Sequence, residues 1–301
     1  MSIKLGINPL TWSNDDMPEL GAETPLETCL AEARQAGYSG VELGNKFPRR
    51  AEVLRPILAQ HGLALVSGWY SSRLLERPVA EEIRAVADHL ELLAALGCSV
   101  MVYAEVSGCV HGDKSAPLSR RPVLGEKQWR GFGENLNAMA RHLAQRGMRL
   151  AYHHHMGTVV ETAAEIDRLM AVTAPEVGLL LDTGHLTYAG GDPAAVARRH
   201  AARIVHVHCK DVRLPVLAAA KARDSSFLNA VLDGVFTVPG DGGIDYASLL
   251  PVLKDAGYRG WLVVEAEQDP AKASPLTYAR LGHDNLSAFA DNAGFAIARS
   301  V

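Results

Sequence analysis

Six of the twelve histidines fall at His153, His154, His155, His185, His206 and His208, a density that solubility does not require. Close to them, carboxylates and imidazoles stand after apolar stems: LLLD ends on Asp182, VHVH on His208 and LVVE on Glu265. Such a mixed donor set suits a divalent metal of intermediate softness, Mn2+, Co2+, Fe2+ or Zn2+. Mg2+ prefers all-oxygen shells and Ca2+ takes more ligands, so both fit less well. In Asp182-Thr-Gly-His185 the imidazole follows the carboxylate by three residues, where the chain turns into its next segment and can reach the same pocket. Strand alternation puts His206 and His208 on one face, so one can reach the metal while the other packs or orients it; a satisfied core position for His206 weighs equally. Residues 153 and 155 share a face that 154 opposes, so one of the three is structural. Glu161, after the loop MGTVV, is a candidate fourth ligand, although a helix N-terminus would also favour a carboxylate there. Lys210, beside Asp211, is either half of a surface ion pair or a group that polarises a carbonyl or moves a proton.

Residues so far apart in sequence need a scaffold that gathers them. Short apolar runs at 3–9, 39–45, 63–70, 99–106, 149–155, 177–182, 203–211 and 260–267 read as strands. Between them lie amphipathic stretches such as 24–37, 80–97 and 126–147; in the second, Ile83, Val86, Ala87, Leu90 and Leu93 recur at helical spacing and Gly97 occupies a C-terminal cap position. Strict alternation of strand and helix demands a parallel sheet, because consecutive parallel strands need a crossover. Eight such units close into a (β/α)8 TIM barrel. The rival, a doubly wound open sheet, would carry a Gly-rich dinucleotide turn after its first strand, and here that turn reads NPLTWSNDD. With no Pro/Ser/Gly linker, one barrel domain over 1–301 is the economical reading. The longest irregular stretches are 107–125 and 212–243, and loops of that length in a compact barrel tend to be functional.

A barrel gathers its active site at the C-terminal ends of its strands. Those ends read Asn8; Glu42 and Asn45; Trp69; Glu105; His153 to His155; Asp182 and His185; His206, His208, Lys210 and Asp211; and Glu265 and Glu267. Asn8, Trp12, Glu42, Trp69 and Glu105 are candidate substrate contacts, with Trp12 and Trp69 as walls. For Trp12 and Trp69, core packing is the competing reading. Other chemistries lack their parts: there is no G-x-S-x-G nucleophile turn and no P-loop, and GDGGID (240–245) is better read as a turn than as a phosphate cradle.

Composition excludes much else. The 301 residues are 48% hydrophobic and 21% charged, ordinary for a globular protein and unlike a disordered or collagenous chain. A formal charge of −4 with no Lys/Arg block leaves no electrostatic footprint for nucleic acid. No apolar run reaches membrane-spanning length. The start, MSIKLGINPLTW, lacks a signal-peptide pattern, and Cys29, Cys98, Cys109 and Cys209 show no C-x-x-C spacing, so a cytoplasmic protein with reduced thiols is expected.

The segments YHHHMGT (152–158), LLDTGH (180–185), HVHCKDVR (206–213) and VVEAEQDP (263–270) resemble the xylose-isomerase-like barrels, the sugar phosphate isomerase/epimerase superfamily. Within it, WSNDDMPE (12–19), VELGNKFP (41–48), FLNAVLDGVFTVPGDGGID (227–245) and GWLVVEAEQDPAKASPLTYA (260–279) look like the inosose dehydratase family. The resemblance implies a metal-dependent β-elimination of water from inosose (2-keto-myo-inositol) to 3D-3,5/4-trihydroxycyclohexane-1,2-dione, with Mn2+ or Co2+. By position, the superfamily's metal ligands fall on Asp182, His208 and Glu265. Its usual fourth ligand, a glutamate ending the fifth strand, is replaced here by His153, so Glu161 or a histidine must substitute. His153 or His155, with His185, are then the expected base and acid, and Lys210 and Glu42 the polyol-binding groups. Two readings compete: a sugar or keto-polyol isomerase or epimerase on the same metal site, disfavoured by the missing glutamate, and a polyol-binding protein without turnover, which would need no acid/base set. Barrels of this superfamily often pair, so a homo-oligomer is an open expectation.

Overall fold

The computed structural model describes residues 2–298. Eight strands, β1 (Ser2–Ile7), β2 (Gly40–Leu43), β3 (Ala64–Ser72), β4 (Val100–Glu105), β5 (Arg149–His153), β6 (Val177–Asp182), β7 (Ile204–Cys209) and β8 (Trp261–Val264), pair in parallel with their neighbours in sequence. β8 also pairs with β1, from Lys4↔Trp261 to Ile7↔Val264, which closes the sheet into a barrel. Every residue of β4, β6 and β7 is buried. That is the signature of strands covered on both faces, and it is why these segments read as continuous rather than alternating apolar runs. Val100, Val102, Ala151, Leu180 and Val205 form a small cluster of their own, while the larger core lies between the strands and the surrounding helices.

The helices follow their periodicity. Leu26–Ala36, Val79–Ala95 and Glu126–Ala144 lie within one to three residues of the expected bounds. The last buries Trp129, Phe132, Leu136, Met139 and Leu143 on one stripe. Gly97, at φ +82, sits just past the Val79–Ala95 helix in the left-handed conformation that stops it.

The stretch 212–243 is not the irregular loop its sequence suggests. It holds helices Leu214–Ala222 and Phe227–Leu232, and Asp211–Val212 pairs antiparallel with Phe236–Thr237. LPVLAAAKA is made of strong helix formers with Pro in the first turn, but its apolar residues go all the way round and so leave no periodic stripe to detect. The stretch 107–125 is irregular apart from one turn at Leu118–Arg120, and it is tied down. Ser119 donates through its backbone and hydroxyl to Asp224, Asn229 donates to the Lys114 carbonyl, and the Val110 amide donates to the Gly157 carbonyl. Among the described residues no helix is long and apolar enough to cross a membrane.

GDGGID wraps a buried carboxylate. Asp211 accepts the backbone N–H groups of Val212 at 2.8 Å, Gly240 at 2.9 Å and Ile244 at 2.9 Å. A Cβ on Gly242 would come within 2.3 Å of Asp211 Oδ1, so the close approach needs glycine. Asp211→Ala strands three donors at once and is expected to lower stability by about 3 kcal/mol. Asp211→Asn, with one acceptor oxygen left, should fall between. Urea unfolding measures both; an unchanged midpoint for Asp211→Ala would mean the turn is held by something else.

Candidate active site

At the C-terminal mouth of the barrel, β5, β6, β7 and β8 deliver four side chains to one point. His153 Nε2 lies 3.4 Å from Asp182 Oδ2, and His208 Nδ1 lies 3.5 Å from the same oxygen and 2.9 Å from Glu265 Oε2. One ligand atom from each of His153, Asp182, His208 and Glu265 falls within 4.8 Å of all the others, and all four residues are buried. Ligands about 2.1 Å from a shared tetrahedral ion stand about 3.4 Å apart, so two of these separations are those of a coordination shell. His208 Nδ1 is buried with no partner in hydrogen-bonding alignment. Among the described residues, the buried carboxylates Glu42, Asp182, Glu265 and Glu267 face one lysine here, Lys210. The donor set therefore fits a divalent ion.

The charges are arranged to keep these carboxylates ionised. Burial alone would raise Asp182, but His185 and Lys210, with hydrogen bonds from His153 and His208, hold it well below the usual range. Glu265, likewise opposed by burial, is brought down to about 2 by His208 and Lys210. His208 is pushed up despite its burial, because Glu265 and Glu42 face it. Local structure fixes Asp182: its Oδ1 accepts the His185 amide at 2.8 Å and caps the helix Thr183–Tyr188, which leaves Oδ2 for the shared point.

Beside this set lies a second network. Lys210 Nζ is 2.7 Å from Glu265, 2.5 Å from Glu267 and 3.0 Å from His185 Nε2, and the side chain is fully buried. Its stem crosses Gly184, where a Cβ would meet Lys210 Cγ at 2.5 Å, so the glycine of the DTGH segment makes room for the lysine. Burial, reinforced by the Glu265 carboxylate, raises Glu267 to about 7 against the pull of Lys210. His155 packs against His185 with ring centroids 3.9 Å apart and the planes tilted by 43°. Its Nδ1 sits 2.8 Å from the Met156 carbonyl, which can only accept, so that nitrogen carries the proton and Nε2 keeps its lone pair. Burial holds both imidazoles well below the ordinary histidine range.

A cavity of about 290 Å3 opens over these groups, lined among others by Asn8, Trp69, His111, His155, Glu265 and Glu267. Trp69 stands edge-on to His153 and His155 at 5.2 and 5.6 Å. His111, with Asp15 and Asp16, lies on this wall although sequence reading did not single it out. It comes from the irregular 107–125 stretch, where no period says which side chain faces inward. The NDD following the first strand was a usable signal for the two aspartates.

Several expected positions differ. Glu161 is not in the ligand group: its Oε2 accepts the Gly157 amide at 2.7 Å and its Oε1 faces Arg121 at 3.4 Å. The tight loop 155–160, closed by the His155 amide on the Val160 carbonyl, turns it away, and the histidine alternative, His153, is the residue that stands with Asp182, His208 and Glu265. Trp12 is no wall: the turn Pro9–Thr11 aims it into the outer core, where its indole N–H donates to Glu32 at 2.6 Å. Glu105 is occupied by the Leu74 amide, the Ser107 amide and the Ser72 hydroxyl, and serves the loop rather than a substrate. Lys210 does not line the cavity itself; it touches Glu265 and Glu267, which do. His154 is the structural member of its triplet, accepting the Asp182 amide at 3.2 Å and pushed down to about 3 by burial and by His153. Glu42 and Asn8 do stand at the site, bonded to each other and to ligand candidates.

The model of the xylose isomerase-like TIM barrel family matches residues 30–288. The chain is 57% identical over 295 residues to the rhizopine catabolism protein MocC of Rhizobium meliloti, covering 98% of this chain and 91% of that protein. It is 46% identical over 279 residues to the inosose dehydratase of Geobacillus thermodenitrificans (strain NG80-2), covering 92% and 94%. Among solved structures, that of the IOLI protein with a binding zinc atom superposes with a TM-score of 0.67 at 17% identity, covering 97% of this chain and 98% of that one. At that identity the likeness speaks for the fold alone.

Proposed function

The chain belongs to the xylose isomerase-like TIM barrel family, in the group that holds the inosose dehydratases, and on that premise we propose that it is a divalent-metal-dependent hydro-lyase that removes water from inosose. The observation that carries the reading is the convergence of His153, Asp182, His208 and Glu265 beneath a cavity sized for one small cyclic polyol, in a chain about 45% identical to inosose dehydratases over 92% of its length. Mixed nitrogen and oxygen donors favour Mn2+ or Co2+, with Fe2+ and Zn2+ as alternatives. Unpaired cysteines at all four positions support a reducing compartment, hence the cytoplasm.

In the elimination, the C–H bond α to the ketone and the C–O bond at the β carbon break, a C=C bond forms, and proton and hydroxide leave as water. The resulting enol tautomerises to the dione. When bound, the cation supplies Lewis-acid polarisation of the ketone. His155, with its lone pair on Nε2 and its ring on the cavity wall, is placed to take the α proton. The chain His185–Lys210–Glu267 reaches the cavity at Glu267 and is placed to deliver a proton to the departing hydroxide. Trp69, on the cavity wall, is placed to orient the ring. The greater identity to MocC supports a second reading, in which the same site serves rhizopine catabolism.

The test is dione formation from inosose, followed by absorbance, with chelated protein and then with Mn2+ or Co2+ restored. We expect activity to vanish on chelation and to return with either ion. Tight metal binding without turnover of inosose would overturn the dehydratase and turn attention to keto-sugar isomerisation or a rhizopine-derived substrate.

A further inference from the structure

Glu42 is surrounded by donors. Its Oε1 lies 2.9 Å from His206 Nε2, and its Oε2 lies 3.1 Å from His208 Nε2 and 2.8 Å from Asn8 Nδ2. Asn8 cannot turn its amide round, because its Oδ1 accepts the Leu10 amide at 3.0 Å; the same Nδ2 is also 3.0 Å from Glu265 Oε2. The carboxylate borders the cavity but is only 2% exposed, and its oxygens are taken by these three groups before any polyol arrives. An ionised carboxylate only accepts, so the nitrogen His208 turns toward it carries hydrogen. With Nε2 holding its hydrogen, Nδ1 is the nitrogen left to offer a lone pair to an ion, and Nδ1 is the atom that faces Asp182 and Glu265.

We infer that Glu42 is a positioning residue rather than a substrate contact: it holds His208 by Nε2, fixes its tautomer and ring orientation, and so presents Nδ1 to the metal point shared with His153, Asp182 and Glu265. The inference rests on the metal-dependent reading above. Asn8 extends the device, tying the positioning carboxylate to the ligand carboxylate Glu265 so that both stay in register. His206 is the second N–H that anchors Glu42. Glu42, His206 and His208 could also be read as a second metal site, since their donor atoms lie within 4.8 Å of one another. An ion there would have to displace the Asn8 donor from Glu42 and take the protons from His206 Nε2 and His208 Nε2, which the hydrogen bonds on Glu42 argue against.

The experiment is a titration of the chelated full-length chain with Co2+ against a chromophoric chelator, read together with the visible Co2+ spectrum and circular dichroism. The parent is expected to take one Co2+ per chain. Glu42→Gln should keep that stoichiometry, bind about 10- to 100-fold more weakly, and shift the Co2+ bands as His208 reorients. His206→Asn should stay within about threefold of the parent, because the imidazole it removes is two steps from the ion. Should Glu42→Gln fail to fold, Asn8→Ala gives the same reading, as it leaves the charge but frees the carboxylate to swing; a loss near the lower end of that range is expected. Parental affinity and spectrum in Glu42→Gln, or in Asn8→Ala if only that variant folds, overturn the inference. So do two Co2+ per parent chain, or a loss in His206→Asn as large as in Glu42→Gln, both of which indicate a second ion. A parent that binds no Co2+ sinks the metal-dependent function and this inference with it, a result distinct from an altered variant of a metal-binding parent.

Discussion

Asp182→Asn is expected to give a folded protein that has lost both its metal affinity and its turnover. The two oxygens of Asp182 do different work: Oδ1 caps the helix Thr183–Tyr188 by accepting the His185 amide, and Oδ2 stands 3.4 Å from His153 and 3.5 Å from His208. Asparagine keeps the cap, because its side-chain oxygen is as good an N-cap acceptor. It cannot keep the anionic donor. Groups outside a metal's own shell typically cost 10- to 100-fold in affinity when removed, so loss of a direct carboxylate should exceed about 100-fold. Turnover at metal concentrations that saturate the parent should fall by about three orders of magnitude. The cleanest reading is thermal. Metal at 100 times its dissociation constant stabilises the parent by about 2.7 kcal/mol, and the variant should show almost none of that upward shift while its metal-free melting stays cooperative. A variant that melts with the full metal-induced shift would remove Asp182 from the ligand set.

Asp182, His208 and Glu265 were legible because each follows an apolar stem on a different strand. Closure of the barrel then brings any such strand ends to one mouth. What the sequence could not say was how the chain leaves those ends. Of the two options for the fourth donor, Glu161 or a histidine, the loop 155–160 turns Glu161 away and leaves His153 beside Asp182, a matter of how the loop folds back on itself that no spacing encodes. Trp12 went outward because three residues of tight helix, Pro9–Thr11, rotate it toward Glu32. Helix Leu214–Ala222 was hidden for the opposite reason, since an all-apolar run carries no period. The contacts of Lys210 span 25 residues to His185 and 57 to Glu267, and only the assembled barrel makes that lysine a buried hub rather than a surface ion pair.

That hub carries the second large effect. Lys210→Met keeps most of the stem that passes Gly184, but removes the ammonium that lies over the Phe236 ring and is held 2.7 Å from Glu265 and 2.5 Å from Glu267. Two buried carboxylates are then left facing each other without their cation. Breaking a buried pair from one side costs about 3–5 kcal/mol, far more than a surface ion pair would, because the surviving charge cannot regain its water. Urea unfolding of the metal-free protein should show a loss of that size. If the cost is the orphaned charge, the double variant Lys210→Met with Glu267→Gln should recover part of it, with a coupling energy above about 1 kcal/mol. Strict additivity would mean the two groups do not sense each other. Dione formation should fall by about 10²–10⁴ in Lys210→Met, since the path from His185 to Glu267 is cut. In the double variant stability should partly return while turnover does not. That split separates the lysine's part in holding the site together from its part in the chemistry.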